Sequence, residues 1–585
     1  MRRSVVIVGA GPRGAGVLER LAASAGEFGV GPGVELDVHL VDPYPPGAGR
    51  IWRHEQSSLL WMNSMAADVT MFTDNSVRCD GPIVPGPSLY EWAVQVREGL
   101  DADALVLASG HLDADPTPDE QDLVAFAAEH GLRYFPPEQT TDTDLDHIPA
   151  GETVIARGMG LAFVDLVVLL FEGRGGGFAP DGDGGRLRYV PSGREPVLHV
   201  GSGRGVPYHA KTEYALRGPR PPLPRFLGPD DVAGFVRRGG IDLRRDVWPL
   251  MAKEVGWGYY HELFHGHPDR VRSTWDAFAA AYAELDWYSD ARTELIATSV
   301  PDPDDHLDFE RIDRPLRDVC VDDPDALQRT LREYIADDLA RHVDERYTAE
   351  LGAFVALLSV FAQVMELAGT DALTPASRAR DLSWWQNLFS SLASGPPGPR
   401  LRQLLALSRA GYVRFLGAGL VVEADGDAGV FRARSDSLDG VEIEARTFVE
   451  ARLPAPSVSR SADPMLAALH ADGQLDEEVL DLGGGCPTQA CSSAVRSADA
   501  AVAHGEGAVV LHHTGLVRVR PSDYRLVDDD GEAHPTRFAI GPHTNVRIPG
   551  AFTRPNTNAL SFRANDAVAR AVLAQVVPAA GRLSA

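Results

Sequence analysis

The chain has 585 residues, and its 55 Lys and Arg against 83 Asp and Glu give a formal net charge of −28 at pH 7. Such a surface repels phosphate backbones and anionic lipid headgroups, and no run of Lys and Arg supplies a local basic patch, so nucleic acid and membrane are not expected partners. A hydrophobic share of 44% with 24% charged residues is that of an ordinary globular protein, and four cysteines cannot build a disulfide framework, which points to a reducing, cytoplasmic setting.

Residues 4–8, Ser-Val-Val-Ile-Val, form a short β-branched run suited to a buried parallel strand. Their overlap with Met-Arg-Arg mimics a signal peptide, but glycines and a proline follow at once and no apolar core region develops. The run leads straight into Gly9-Ala10-Gly11-Pro12-Arg13-Gly14, and Val17, Leu18 and Leu21 then fall on one helical face. In such a turn the first glycine permits the tight bend and the second lets backbone approach a pyrophosphate. The third lets helix and strand pack closely, while the helix N-terminus faces the phosphates. A second strand over Glu35–Val41 ends at Asp42, placed to accept hydrogen bonds from a ribose. Strand, turn, helix, strand and acid in this order predict a dinucleotide site. The following Gly47-Ala48-Gly49-Arg50-Ile51-Trp52 resembles the glycine–glycine–x–Trp element of flavin monooxygenases, with Ala48 between the glycines, and favours FAD.

A second copy begins at residues 153–156, Thr-Val-Ile-Ala, and continues into Gly158-Met159-Gly160-Leu161-Ala162-Phe163, with Phe163 where the third glycine would stand. The apolar helix that follows, ending at Phe171, contains Asp165 and is too short to span a bilayer. A strand over residues 197–200 runs into Gly201-Ser202-Gly203-Arg204, where Ser202 and Arg204, with Arg174 as a possible third, suit the 2′-phosphate of NADPH better than an acid would. Residues 104–110 and 448–452 read as strands returning to the first and second units. Phe562, Arg563, Asn565 and Asp566 open a C-terminal helix of the kind that stabilises negative charge on a reduced flavin.

Between about Gly218 and Gly398 the pattern turns helical, with one apolar stripe at Leu327, Leu331, Tyr334, Ile335 and Leu339 and another at Phe354, Leu357, Leu358, Phe361 and Met365. The expected fold is therefore α/β, with two Rossmann-like dinucleotide-binding domains, for FAD and NADPH, and a helical insertion. The FAD domain takes residues 1–150 and 456–585, and the NADPH domain takes 151–217 and 400–455. The insertion takes 218–399, as a possible substrate cover. Two motifs argue for other chemistry. His261-Glu262-Leu263-Phe264-His265 is a literal HExxH with Glu284 downstream, but Gly266 and Pro268 break its helix, so no metal is expected. Cys486 and Cys491 have the spacing of flavin disulfide reductases, far from the first turn where that pair belongs.

Taken with residues 62–65, Met-Asn-Ser-Met, and 191–196, Pro-Ser-Gly-Arg-Glu-Pro, the two turns resemble a bacterial FAD/NAD(P)-binding family of two-nucleotide flavoproteins. That family includes flavin-dependent N-hydroxylating monooxygenases of the aspartate N-monooxygenase type. The resemblance implies C4a-hydroperoxyflavin chemistry, with NADPH as reductant and O₂ and a small amino acid as substrates. It places Gly9, Gly11, Gly14 and Asp42 at the ADP half of FAD, and Trp52, Asn63, Asn565 and Asp566 near the flavin. Gly158, Gly160, Ser202 and Arg204 would hold NADPH, and Arg53, His54 and Lys211 could bind a substrate carboxylate. No side chain is marked as catalytic, and no oligomeric state is implied. One departure stands out: the family carries a longer segment between the region of Trp92 and the strand at Leu105, where twelve residues stand here. An NADPH-dependent oxidoreductase without oxygen insertion, a nucleotide-binding module without catalysis and a zinc hydrolase are the other readings.

Overall fold

The computed structural model describes residues 2–31, 34–50, 56–57, 59–60, 69–86, 105–108, 113–182, 185–482, 510–546 and 558–577. Two five-stranded sheets organise them. In the first, strands run in the spatial order Arg525–Val527, Ala533–Ala539, Leu105–Leu107, Arg2–Val8, Glu35–Val41, all parallel except the first pair. Val5 and Ile7 alternate inward and are fully buried, as a strand covered on its faces requires. The helix Pro12–Ser24 lays Val17 and Leu21 on this sheet, and the C-terminal helix Leu560–Val576 adds Val568, Val572 and Leu573.

The second sheet is wholly parallel, in the order Arg133–Phe135, Thr447–Glu450, Thr153–Arg157, Val197–Ser202, Val413–Ala418. In each sheet the strand preceding the glycine turn is flanked by the next strand on one side and a late-returning strand on the other. Leu105–Leu107 and Thr447–Glu450 are those returning strands, as residues 104–110 and 448–452 predict. Arg133–Phe135 pairs in the second sheet although it precedes the division at residue 150, because Phe448 aligns with Tyr134. A three-stranded antiparallel sheet, Val421–Asp425, Val430–Ser435 and Leu438–Ala445, is not foreshadowed by the sequence reading.

Helices dominate between Val197–Ser202 and Val413–Ala418, as the periodicity predicts. On Pro324–Val343 the stripe Leu327, Leu331, Ile335 and Leu339 is buried, in one core with Val200 and Phe415. On Thr348–Ala368, Leu357, Phe361 and Met365 are buried, whereas Leu358 falls off the inner face and is exposed. This last helix is apolar and long enough to cross a membrane, with a mean hydropathy of 1.9 over its best window, yet half of that window is buried inside the fold. It crosses Trp248–Gly266 at two facing glycines: a Cβ on Gly258 would stand 2.4 Å from the Gly352 carbonyl oxygen.

Candidate dinucleotide and substrate site

The first turn joins Arg2–Val8 to a helix whose N-cap is Gly11 and whose first residue is Pro12, so the missing proline N–H costs no hydrogen bond. Gly9 sits at φ 94°, and its N–H donates to the Val41 carbonyl at 2.8 Å. A Cβ on Gly14 would lie 2.0 Å from the Gly9 oxygen, so only glycine lets this helix approach its strand. Asp42 is half-buried, and its carboxylate accepts from Ala10 N at 2.6 Å and Tyr44 N at 2.8 Å. These bonds aim the acid at the mouth of the turn, with lone pairs left over for a ligand. The loop after Asp42 folds back over the turn, where Gly47 N donates to the Ala10 carbonyl and Gly49 faces Gly11. Trp52, Arg53, His54 and Asn63 lie outside the described residues, as do Cys486, Cys491 and the short segment before Leu105.

Around the second turn Gly158, at φ 123°, donates its N–H to Gly201 O at 2.9 Å, and a Cβ on it would meet Ala451 O at 2.5 Å. Gly160 caps the helix Leu161–Phe171, with the ring of Tyr208 lying over it. Phe163 is fully buried in the second core. Ser202 Oγ accepts from Gly205 N at 2.9 Å. The guanidinium of Arg204 is held by Asp313, through its carbonyl at 2.9 Å and its carboxylate at 2.7 Å. Arg174 spends its donors on the carbonyls of Leu145, Ile148 and Arg194, so it braces a loop within the second unit.

The C-terminal helix begins at Leu560, capped by Ala559, so Asn565 and Asp566 stand in its second turn and not at its mouth. Both are buried. Asp566 pairs with Arg20 Nε at 3.2 Å and accepts from Asp80 N at 3.1 Å and Gly81 N at 3.0 Å, while Asn565 lies against Gly16.

At the carboxyl edge of the second sheet, where ligands bind in open α/β folds, the chain runs from Ser202 past Tyr208 into the wall of a cavity of about 860 Å³. The cavity lies between this segment and the insertion helices. Its lining includes His209, Lys211, Arg311, Tyr334, His342 and Glu350. Lys211 Nζ donates to the Ala393 carbonyl. His209, Asp338 and His342 have ligand-type atoms within 4.8 Å of one another. Hydrogen bonds account for that closeness: His209 Nδ1 meets Asp338 Oδ1 at 2.6 Å, and His342 Nδ1 meets the Asp338 carbonyl at 2.7 Å.

The HExxH segment has other work. Glu262 is fully buried and accepts from Arg217 N at 2.8 Å, Gly218 N at 3.1 Å and Thr348 Oγ1 at 2.6 Å. His261 stacks on His265 at 4.2 Å between ring centroids and packs on Trp275, and burial followed by the charge of His265 lowers it to about 4. Glu262 thus spends its carboxylate on three buried donors of the fold, and this geometry gives the zinc-hydrolase reading no support.

An FAD/NAD(P)-binding family profile matches residues 6–118, the stretch that holds the first turn and its returning strand. The nitrosuccinic acid synthase of Aspergillus oryzae is 32% identical, with 98% of this chain and 93% of the relative covered. An L-aspartate N-monooxygenase (nitrosuccinate-forming) of Streptomyces davaonensis is 32% identical, with 98% of each chain covered. One of the same name from Streptomyces cremeus is 34% identical, covering 100% of this chain and 96% of its own. The chain belongs to this N-monooxygenase family.

As a member of it, the chain is an FAD/NAD(P)-dependent oxidoreductase, and its residues fit the two cofactors. The aligned lengths of 645, 671 and 683 positions exceed the chain itself, so these family members carry residues that it lacks. At the first turn the loop packs backbone to backbone on the glycines: a Cβ on Gly49 would stand 3.2 Å from Gly11 Cα, so the close approach of loop and turn depends on glycine at both positions. In the second unit nothing lies within 4 Å of a Cβ placed on Gly203, beside Ser202. Tyr208, His209, Asp338 and His342 escaped the sequence reading. The only local trace is the four-residue spacing of Asp338 and His342, too common on helices to single out.

Proposed function

We propose that this chain is an NADPH- and FAD-dependent monooxygenase that oxidises the amine of aspartate, or of a close small amino acid, toward nitrosuccinate. The observation that carries the reading is the end-to-end match to nitrosuccinate-forming relatives in a chain that keeps both glycine turns. Gly9, Gly11, Gly14 and Asp42 would hold the ADP half of FAD, with Trp52 and Asn63 toward the flavin. Gly158, Gly160, Ser202 and Arg204 would hold NADPH, the charge of Arg204 shared between Asp313 and the 2′-phosphate. FAD, when bound, supplies the oxygen-activating chemistry, so the protein's part is to bind, orient and dry the substrate. Asn565 and Asp566 serve the first turn from behind, through Gly16 and Arg20.

We place the substrate in the cavity beside Tyr208, with Lys211 and the exposed Arg311 as partners for its carboxylates. The partners are this small molecule and O₂, and the compartment is the cytoplasm, where NADPH is at hand. The test is a visible spectrum of the FAD-loaded protein, with NADPH added anaerobically and air admitted afterwards, with and without aspartate. Bleaching followed by aspartate-dependent nitrosuccinate, read by mass spectrometry, is the expected result. Bleaching with no aspartate-dependent product would favour the oxidoreductase without oxygen insertion, and no flavin binding at all would sink both.

A further inference from the structure

An amine attacks an electrophilic oxygen through its nitrogen lone pair, and near neutral pH an amino acid carries that nitrogen as ammonium. A monooxygenase for such a substrate therefore needs somewhere to put one proton, and neither glycine turn offers a place. The cavity wall does. His209 follows Tyr208, whose ring stands 3.2 Å from a Cβ built on Gly160, so this histidine sits at the seam between the second turn and the cavity. Its backbone N–H donates to Ser391 O at 3.0 Å, which fixes the strap formed by residues 202–210 to the insertion.

We infer that His209, oriented by Asp338, is the base that takes the proton from the substrate ammonium in this cavity. The inference rests on the N-monooxygenase reading above. Asp338 Oδ1 holds His209 Nδ1 at 2.6 Å, and Asp338 Oδ2 is itself held by Ala210 N at 2.8 Å. With Nδ1–H donated to the carboxylate, the lone pair stays on Nε2. That Nε2 has no hydrogen bond to a described residue and is not among the orphaned buried atoms, and the residue lines the cavity, so Nε2 opens onto it. His342 lines the same wall, and its Nδ1 lies 3.3 Å from the same Asp338 carboxylate oxygen, but its hydrogen bond goes to the Asp338 carbonyl at 2.7 Å. A carboxylate that accepts the Nδ1–H directly stabilises an imidazolium best, and the 2.6 Å bond to Asp338 belongs to His209, which selects it.

The proton step balances simply: one N–H bond of R–NH₃⁺ breaks, one Nε2–H bond forms on His209, and no electrons change hands. The neutral amine keeps its lone pair for oxidation, and Asp338 remains ionised beside the imidazolium. The groups facing His209 are Asp338, His342 and Tyr334 from Pro324–Val343, Glu350 from Thr348–Ala368, and Arg204 from the strap. Burial pulls the imidazole down, but the charge and hydrogen bond of Asp338, with Glu350 behind, raise it above its ordinary 6.5 against the opposing Arg204.

The experiment compares wild type, His209→Gln and Asp338→Asn as FAD-loaded full chains between pH 6 and 10. It follows NADPH bleaching and amino-acid oxidation in the same samples. At pH 7, His209→Gln should oxidise aspartate about 10²–10⁴-fold more slowly, the usual contribution of a positioned base. Its rate should climb about tenfold per pH unit as solvent supplies free amine, while wild type levels off once His209 is neutral. Asp338→Asn should show a smaller loss with the same slope. The N-hydroxylated amino acid, whose nitrogen is already neutral at pH 7, should be oxidised by His209→Gln within a few-fold of wild type. A variant profile parallel to wild type, or an equal loss on the N-hydroxylated substrate, would overturn the inference. Failure of wild type itself to oxidise aspartate would overturn the functional reading and this inference together. That outcome is distinct because it appears before any substitution is made.

Discussion

Gly14 and Phe163 occupy the same place in the two turns, and the volume there decides how each helix meets its strand. At Gly14 a Cβ would lie 2.0 Å from the Gly9 oxygen, so Gly14→Ala must push the helix off the turn. We expect loss of bound flavin, read as flavin absorbance per mole of purified protein, with little change in far-UV circular dichroism. Phe163 points into the second core and is fully buried. Removing its ring should cost about 3–5 kcal/mol, as for other buried aromatic truncations, measured as a shift in the urea midpoint. The fingerprint's third position is thus a packing constraint, and the second unit meets it with an aromatic buried in its own core. Glu19 carries a prediction of another kind. Burial, opposed by Arg20, raises its carboxyl to about 7 from an ordinary 4.5. The folded state then holds a proton that the unfolded chain has released, so stability present below pH 4.5 declines as pH rises toward 7. Glu19→Gln should flatten that part of the Tm-against-pH curve.

Among the elements, the helix Trp248–Gly266 shows how a catalytic-looking motif is absorbed by packing. Its HExxH face is legible in the sequence, but what Glu262 does is not. The carboxylate joins Arg217, Gly218 and Thr348, the last of these 86 residues away. Glu262→Ala would leave buried donors unpaired at about 1–3 kcal/mol each, so a loss of roughly 3 kcal/mol or more is expected. Added zinc should leave the Tm of the wild type unchanged; a zinc-dependent rise would revive the hydrolase reading. The two long stripes, Leu358 apart, are legible in the sequence because a 3.6-residue period is a local property of the chain. Leu358 lies outside the buried face, exposed beside the buried Leu357.

At the scale of the whole molecule, the first unit is closed by contacts between its two ends. Arg20 is fully buried and bonds Asp566, Thr73 at 3.0 Å and Pro82 O at 2.5 Å, joining the first helix, the last helix and the 69–86 segment. Breaking one partner of a buried ion pair leaves an uncompensated charge, so Asp566→Ala should cost about 3–5 kcal/mol. Because that cluster lies behind the first turn, flavin retention should fall with stability, while a nicotinamide-dinucleotide analogue should still bind the second unit, as titration calorimetry would show. Outside the cluster, Arg50 pairs with Asp142 at 2.5 Å, and Arg400 bonds the Leu59 carbonyl and Glu172. These contacts link residues near the first turn with the second unit.

The residues by themselves determined the two glycine turns, the strands feeding them, the returning strands and the helical character of the insertion. All of these follow from backbone freedom at single positions and from periodicity over short windows. Only the tertiary structure decided that Arg204 is held by Asp313, 109 residues on, and that Asp566 pairs from the last helix with Arg20 of the first. It also decided that His209 is set by Asp338 across 129 residues of chain. Local propensity holds no record of which distant side chain will arrive in a cavity wall. That is settled when the insertion packs against the carboxyl edge of the second sheet, and the burial of apolar surface that drives the packing acts without regard to the polar pairs it brings together.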